Sequence, residues 1–264
     1  MTCFICTQCG IEFAEAEAPP PSCPICEDER QYVNWEGQAW TTLNELKQGY
    51  TVRWQEDGGV IGIGCEPHFA IGQRALVVKS PHGNVLWDCI TLLTDEIVSK
   101  IEAEGGIKAI AISHPHYYTT IVEWAKTFDV PVYLHADDRQ WVTRPDDRIV
   151  YWMGEVHPLD EALTLIRCGG HFEGGAVLHQ ATGGGALFTG DVLQVVQDRQ
   201  HVSFMRSFPN YIPLGPTAVR RIEAALEPFA YDRVYGAFWG RNIVGDGKAA
   251  VERSVQRYLD WIAR

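Results

Sequence analysis

The stretch Lys108-Ala-Ile-Ala-Ile-Ser113-His114-Pro115-His116-Tyr117-Tyr118-Thr119 is an apolar strand running straight into two histidines one residue apart. Just past the end of a strand, that spacing lets both imidazoles aim at one point. Neutral imidazole is a common ligand of Zn²⁺ and of iron. Spacing alone fits a pair of surface loop histidines equally well, but two other stretches weigh against that. Gly169-Gly170-His171-Phe172-Glu173-Gly174-Gly175 sets a histidine in a glycine-rich turn, and Thr189-Gly190-Asp191 follows the short apolar run Ala186–Phe188. Each places a metal-ligand residue type at a strand end, and loops held by a rigid sheet are a common seat for functional groups.

Around these motifs the chain alternates strands and helices. Ala75–Val78 and Asn84–Asp88 flank the turn Ser80-Pro-His-Gly83 and predict a hairpin. Thr94, followed by Asp95 and Glu96, predicts a helix start, and Gly105-Gly106 its end. Helices are also expected over Thr119–Phe128, Pro216–Glu227 and Lys248–Arg264. Strands are expected at Val130–Leu134, Leu163–Arg167, Ala176–Gln180 and Arg233–Ala237, while residues 34–66 read as short strands and turns. The fold class is α/β with several hairpins rather than a pure βαβ winding.

The cysteines divide the chain. Five of the 8 fall in the first 26 residues. Cys6-Thr-Gln-Cys9 and Cys23-Pro-Ile-Cys26 are two CxxC turns with 13 residues between them. Two such turns offer four thiolates in a tetrahedron, which suits Zn²⁺ or a single iron. Gly10 favours Cys6 and Cys9 as the first pair, leaving Cys3 as a spare thiol. The alternative is a pair of disulfides in an exported protein. The segment resembles a zinc ribbon and, equally, a rubredoxin-like module, so structural zinc and electron-carrying iron both remain open. It is expected to form a module over residues 1–35, followed by a domain over 36–264.

Composition excludes several classes. With 46% hydrophobic residues the chain is too apolar for disorder. A net charge of −12 argues against a general nucleic-acid binder. No apolar run approaches the ~20 residues of a membrane helix, and the N-terminus lacks a basic region followed by an apolar stretch. A soluble cytoplasmic protein acting on a small molecule is expected, with no membrane partner. Its oligomeric state is open.

Taken together, the motifs resemble those of the metallo-β-lactamase-like hydrolases from about residue 70 to the C-terminus. The hairpin ending in Trp87-Asp88 resembles the strand that closes with a structural Asp. Ser113-His114-Pro-His116-Tyr-Tyr118-Thr119 resembles the His-x-His-x-Asp-His loop. Gly170-His171-Phe-Glu-Gly174 and Phe188-Thr-Gly-Asp191 resemble the third and fourth motifs. The resemblance implies an αβ/βα sandwich with a metal site along one edge of the paired sheets. The departures are specific: Tyr118 and Thr119 stand in place of the loop's Asp and final His, and Gly236-Ala-Phe-Trp239-Gly240 lacks the last histidine. All three losses belong to a second metal. The residues left imply one ion on His114, His116 and His171 with Asp191 beside it, zinc by default and iron as the alternative.

Asp191 would ligate the metal or orient a water as base. Tyr118 would stabilise an oxyanion or donate a proton, or else simply fill the vacated site. Arg206 and Trp239 are candidate substrate contacts, and His135 reads as capping a turn. Three functions follow: a mononuclear metal-dependent hydrolase of a small ester, thioester, lactone or amide; an iron redox protein; and a non-catalytic binding protein on a degenerate fold.

Overall fold

The computed structural model describes residues 1–264. The N-terminal segment contains β1 (Ile5–Cys6), α1 (Pro24–Glu27) and β2 (Trp40–Thr41). β1 pairs antiparallel with β2, so the pairing of this segment reaches past residue 35. α2 (Leu43–Gly49) opens on a capping box in which Thr42 and Glu45 each satisfy the other's backbone N–H.

Next come β3 (Thr51–Glu56), β4 (Ile61–Glu66), β5 (Ala75–Val78) and β6 (Val85–Trp87), joined as antiparallel neighbours. α3 (Asp95–Ala103), β7 (Ala109–Ala111), α4 (Ile121–Phe128), β8 (Val132–His135) and β9 (Ile149–Trp152) follow, and β6 to β9 pair in parallel. Thr94 caps α3 by accepting the Ile97 N–H. These strands form a 7-stranded sheet in sequence order.

β10 (Val156–Pro158), β11 (Leu163–Arg167), β12 (Ala176–Gln180) and β13 (Ala186–Phe188) begin the second sheet. Two small hairpins interrupt it, β14 (Gln194–Val195) with β15 (Val202–Ser203), and β16 (Met205–Ser207) with β17 (Ile212–Pro213). After α5 (Pro216–Leu226), β18 (Arg233–Tyr235) pairs in parallel with β13 and β19 (Asn242–Val244) forms the edge. The sheet has 6 strands, and α6 (Gly247–Ile262) closes the chain.

Alternation along the strands sorts side chains into layers. Leu76, Val78, Val85 and Trp87 meet Leu163, Leu165, Leu178 and Phe188 between the two sheets. Val77, Leu86 and Ile110 face the other way, under Ile97, Ile101, Ile121 and Trp124 of α3 and α4. Val177, Leu187 and Val234 lie under Val219, Ile222, Val251 and Val255 of α5 and α6. The result is a four-layer αβ/βα sandwich. Each buried aliphatic side chain contributes roughly 1.5–3 kcal/mol. Ile5, Ile11 and Ile25 belong to the first of the outer clusters, so the N-terminal segment shares its core with the first sheet.

Arg74 ties the sheets together. Its side chain is fully buried and pairs with the Asp57 carboxylate. It also donates to Asn242 Oδ1 at 2.6 Å and to the Gly236 carbonyl at 3.0 Å. Burial pulls this guanidinium down to about 10, although Asp57 opposes the shift. Arg74→Leu leaves Asp57 without its counter-charge and is expected to cost about 3–5 kcal/mol. Denaturant unfolding checks this, and a loss under about 1 kcal/mol would show that the sheets do not depend on the pair.

Candidate metal centre

Strand ends build the site. β7 stops at Ala111, and His114 begins a single 3₁₀ turn over Pro115–Tyr117. Asp88, which follows β6 with φ +58°, accepts the Ser113 N–H at 2.8 Å and fixes where that turn starts. Burial pushes the Asp88 carboxyl up to about 7, against the pull of Ser113. The His171 turn is pinned by Asp138, whose Oδ1 accepts the Gly174 N–H at 3.0 Å. A Cβ on Gly174 would come within 2.7 Å of Asp138 Oδ2, so this close approach requires glycine. Asp191 follows β13 across Thr189-Gly190.

The four side chains converge. Ligand atoms of His114, His116, His171 and Asp191 all lie within 4.8 Å of one another, and none of the four residues is more than 6% exposed. His171 Nδ1 donates to the Met205 carbonyl at 3.0 Å, which leaves Nε2 bare. His114 Nδ1 bonds Ser113 Oγ at 2.8 Å, while its buried Nε2 has no hydrogen-bond partner. His171 Nε2 and His116 Nδ1 lie 3.2 Å apart, and His114 Nε2 lies 3.6 Å from Asp191 Oδ2. An ion with Zn–N bonds of about 2.0–2.1 Å separates its tetrahedral ligands by roughly 3.3 Å, so these spacings fit a shared ion. Burial pushes His114 and His116 well below the usual imidazole range, helped by the neighbouring His171. Burial takes His171 down to about 4. All three are therefore neutral near pH 7, the form that ligates metal.

Asp191 is oriented by a residue the sequence did not single out. Tyr117 donates its hydroxyl to Asp191 Oδ1 at 2.8 Å, and Gln194 Nε2 reaches the same oxygen at 3.4 Å. Oδ2 is left on the histidine side. Burial pushes the Asp191 carboxyl up to about 6, with Tyr117 and Gln194 pulling it back.

Two of the expected site residues, Tyr118 and Trp239, lie elsewhere, and Arg206 is tied up by an ion pair. Tyr118, expected either as the phenol of the site or as a filler, enters the core and lines a narrow crevice with Ile11, Ile121 and Val142. The tight 3₁₀ turn brings Tyr117 to Asp191 instead. Arg206 stays beside His171, but its guanidinium is engaged by Glu29, with Nε 2.5 Å from Oε1. Trp239 lies on β4, where the Cβ positions of Gly62 and Gly64 are 2.7 and 3.1 Å from its ring, and Arg53 stacks on it at 4.2 Å. His135 accepts the Asp137 N–H and so caps the turn after β8.

Gly190 has no room for a side chain. Its φ is +51°, and an added Cβ would stand 2.2 Å from Ser113 Oγ, the partner of His114. Gly190→Ala is therefore expected to weaken metal binding about tenfold or more, the usual cost of disturbing a ligand's own hydrogen bond. Zinc titration against a competing chelator measures it, and unchanged affinity would count against this packing.

The second cluster is Cys6, Cys9, Cys23 and Cys26, all buried. Cys6 to Cys26 and Cys9 to Cys23 are each 3.6 Å between sulfurs. That is far beyond a disulfide bond of about 2.05 Å and close to the roughly 3.8 Å edge of a Zn–thiolate tetrahedron. Gly10 turns the chain after Cys9 with φ +81°, and Gln38 donates to Cys6 Sγ at 3.0 Å. Cys3 stays outside this group. The thiolates suit zinc or iron alike.

A four-layer sandwich with a His-x-His turn, a glycine-bound histidine and an Asp along one sheet edge defines a metallo-β-lactamase-fold protein. Solved structures agree on the fold. The chain is similar to DIM-1 metallo-β-lactamase (TM-score 0.61, 14% identity, 80% of this chain and 98% of that one). VMB-1 gives a TM-score of 0.60 at 14% identity over the same shares. A B3 metallo-β-lactamase with an active-site glutamic acid gives 0.52 at 17% identity, over 85% and 97%. No protein-family model matches the chain. The uncharacterized protein YmaE of Bacillus subtilis (strain 168) is 45% identical over 265 residues, 98% of this chain and 96% of its own length. The chain belongs to the family of YmaE. No helix is long and apolar enough to cross a membrane.

Proposed function

We propose that this chain is a metal-dependent hydrolase of a small ester, thioester, lactone or amide, working through one ion on His114, His116 and His171 with Asp191 beside it. The observation that carries this is the buried His114 Nε2, which has no hydrogen-bond partner and stands in a cluster with His116, His171 and Asp191 whose ligand atoms all lie within 4.8 Å of one another. A divalent ion there would supply Lewis acidity to a carbonyl oxygen. The chain's own residues divide the remaining work. Tyr117 holds Asp191 Oδ1, so Oδ2 is free to take a proton from an attacking water. Ser113 and the Met205 carbonyl keep the His114 and His171 rings in register. The buried surroundings strengthen each of these contacts.

One ion is favoured over two. Only the His/Asp and Cys clusters group three or more ligand atoms within reach of a single ion. Thr119, at the place of the family's last loop histidine, has a buried hydroxyl with no partner. This weighs against a di-iron redox centre. The test is metal analysis followed by a screen of esters, thioesters, lactones and amides, with His114→Ala as the control.

A further inference from the structure

The Cys-rich segment reaches the other metal centre. Directly after Cys26, the chain lays Asp28–Gln31 across the β16–β17 hairpin, whose first strand carries Met205 and Ser207. Ser207 Oγ donates to the Arg30 carbonyl at 3.1 Å. Asn210 Nδ2 donates to the Glu29 and Gln31 carbonyls at 2.9 and 2.8 Å. Arg30 is buried, its side chain only 8% exposed. Its Nε and Nη2 are held by Asp28 at 2.6 and 2.9 Å, which fixes the plane of the guanidinium. That plane lies 3.9 Å from the centre of the Phe172 ring, with Trp141 at 5.2 Å, and Nη1 points to the His171 carbonyl at 3.4 Å.

Phe172 connects this guanidinium to the histidines. Its ring meets His116 at 4.9 Å, His171 at 5.2 Å and His114 at 5.6 Å between centroids. A cation seated over an aromatic face contributes roughly 0.5–2 kcal/mol and so favours this position of the ring. The fork geometry is specific to Arg, because Lys would supply the charge without the plane.

We propose that Arg30 is a positioning residue for the His114/His116/His171 centre, so that the four-cysteine module sets the metal affinity of a site to which it contributes no ligand. This rests on the reading of the His/Asp cluster as a metal centre. The path is continuous. The thiolate cluster fixes α1, α1 fixes Asp28 and Arg30, and Arg30 holds Phe172 and the His171 backbone. Coupling of this kind is reciprocal, so filling the His centre also tightens the thiolate site.

The test titrates the metal-free full chain with Co²⁺ in the presence of a competing chelator. Thiolate-bound cobalt gives intense near-ultraviolet charge-transfer bands and strong d–d bands at the red end of the visible, whereas nitrogen- and oxygen-bound cobalt gives weaker d–d bands at shorter visible wavelengths and no charge-transfer bands, so the two sites are read separately. Arg30→Ala is expected to weaken cobalt at the His centre about tenfold or more and to shift its d–d bands. The thiolate bands should still saturate, and Arg30→Lys should recover only part of the loss. Asn210→Ala, which releases the segment without touching Arg30, should weaken the His centre in the same direction. Affinity within twofold of wild type in both Arg30→Ala and Asn210→Ala would overturn the proposal. So would loss of thiolate and d–d bands together in both variants, the result of unfolding alone. Wild-type chain showing only thiolate bands would instead remove the metal centre itself, and the proposal with it.

Discussion

His114→Ala is expected to take the purified chain from two bound ions to one and to lower hydrolysis by about 10³-fold or more. The ring it removes is fully buried, and its Nε2 faces the common point of the cluster. His171 and Asp191 keep their own partners, the Met205 carbonyl and Tyr117 respectively. The fold should therefore survive while the donor set falls short. Losing a Lewis acid worth several kcal/mol removes at least three powers of ten in rate. Metal analysis and kcat/KM on whichever substrate the screen finds are the two readouts. Retained metal with retained activity would place the chemistry elsewhere.

The second large effect is on stability. Cys26→Ser leaves three thiolates facing a weaker ligand, in a cluster with sulfurs 3.6 Å apart and almost no solvent contact. Uncompensated buried charge costs about 3–5 kcal/mol, and thermal midpoints of domains of 150–250 residues move by roughly 2–4 °C per kcal/mol. A fall of roughly 6–20 °C is expected. It should not be confined to the N-terminal segment, because Ile5, Ile11 and Ile25 share a core cluster with Ile63, Val77 and Ile110 of the first sheet. Calorimetry decides this. A local loss of the module with an unchanged main transition would mean that the shared core does not transmit the damage.

Much of this was legible in the residues because the signals are local. Strand β7 running into His-Pro-His, the glycines around His171 and the Thr-Gly-Asp run each state their geometry within a few positions. So do the CxxC turns, where Gly10 alone separates Cys6 from Cys3 as the first ligand. The missed features depend on distant partners. β4, Ile61-Gly-Ile-Gly-Cys-Glu66, looks like a turn-rich stretch until Trp239 is seen lying on Gly62 and Gly64. β9 carries no period-two signal, because its four residues are all apolar while Ile149 and Trp152 are buried, Val150 is exposed and Tyr151 is intermediate. Tyr117 and Tyr118 are neighbours of one type, and only the pitch of the 3₁₀ turn decides which phenol meets Asp191. Arg30 lies 141 positions from the carbonyl it approaches, and nothing local marks it.

The central claim is that the His/Asp cluster holds an ion of its own, separate from the one on the Cys cluster. Metal content of the wild type, His171→Ala and Cys26→Ser, measured side by side on purified chains, tests it most directly. The account predicts two ions per chain in the wild type. In His171→Ala it predicts one, with the thiolate site still filled. A single ion in the wild type that survives His171→Ala and disappears in Cys26→Ser would contradict it.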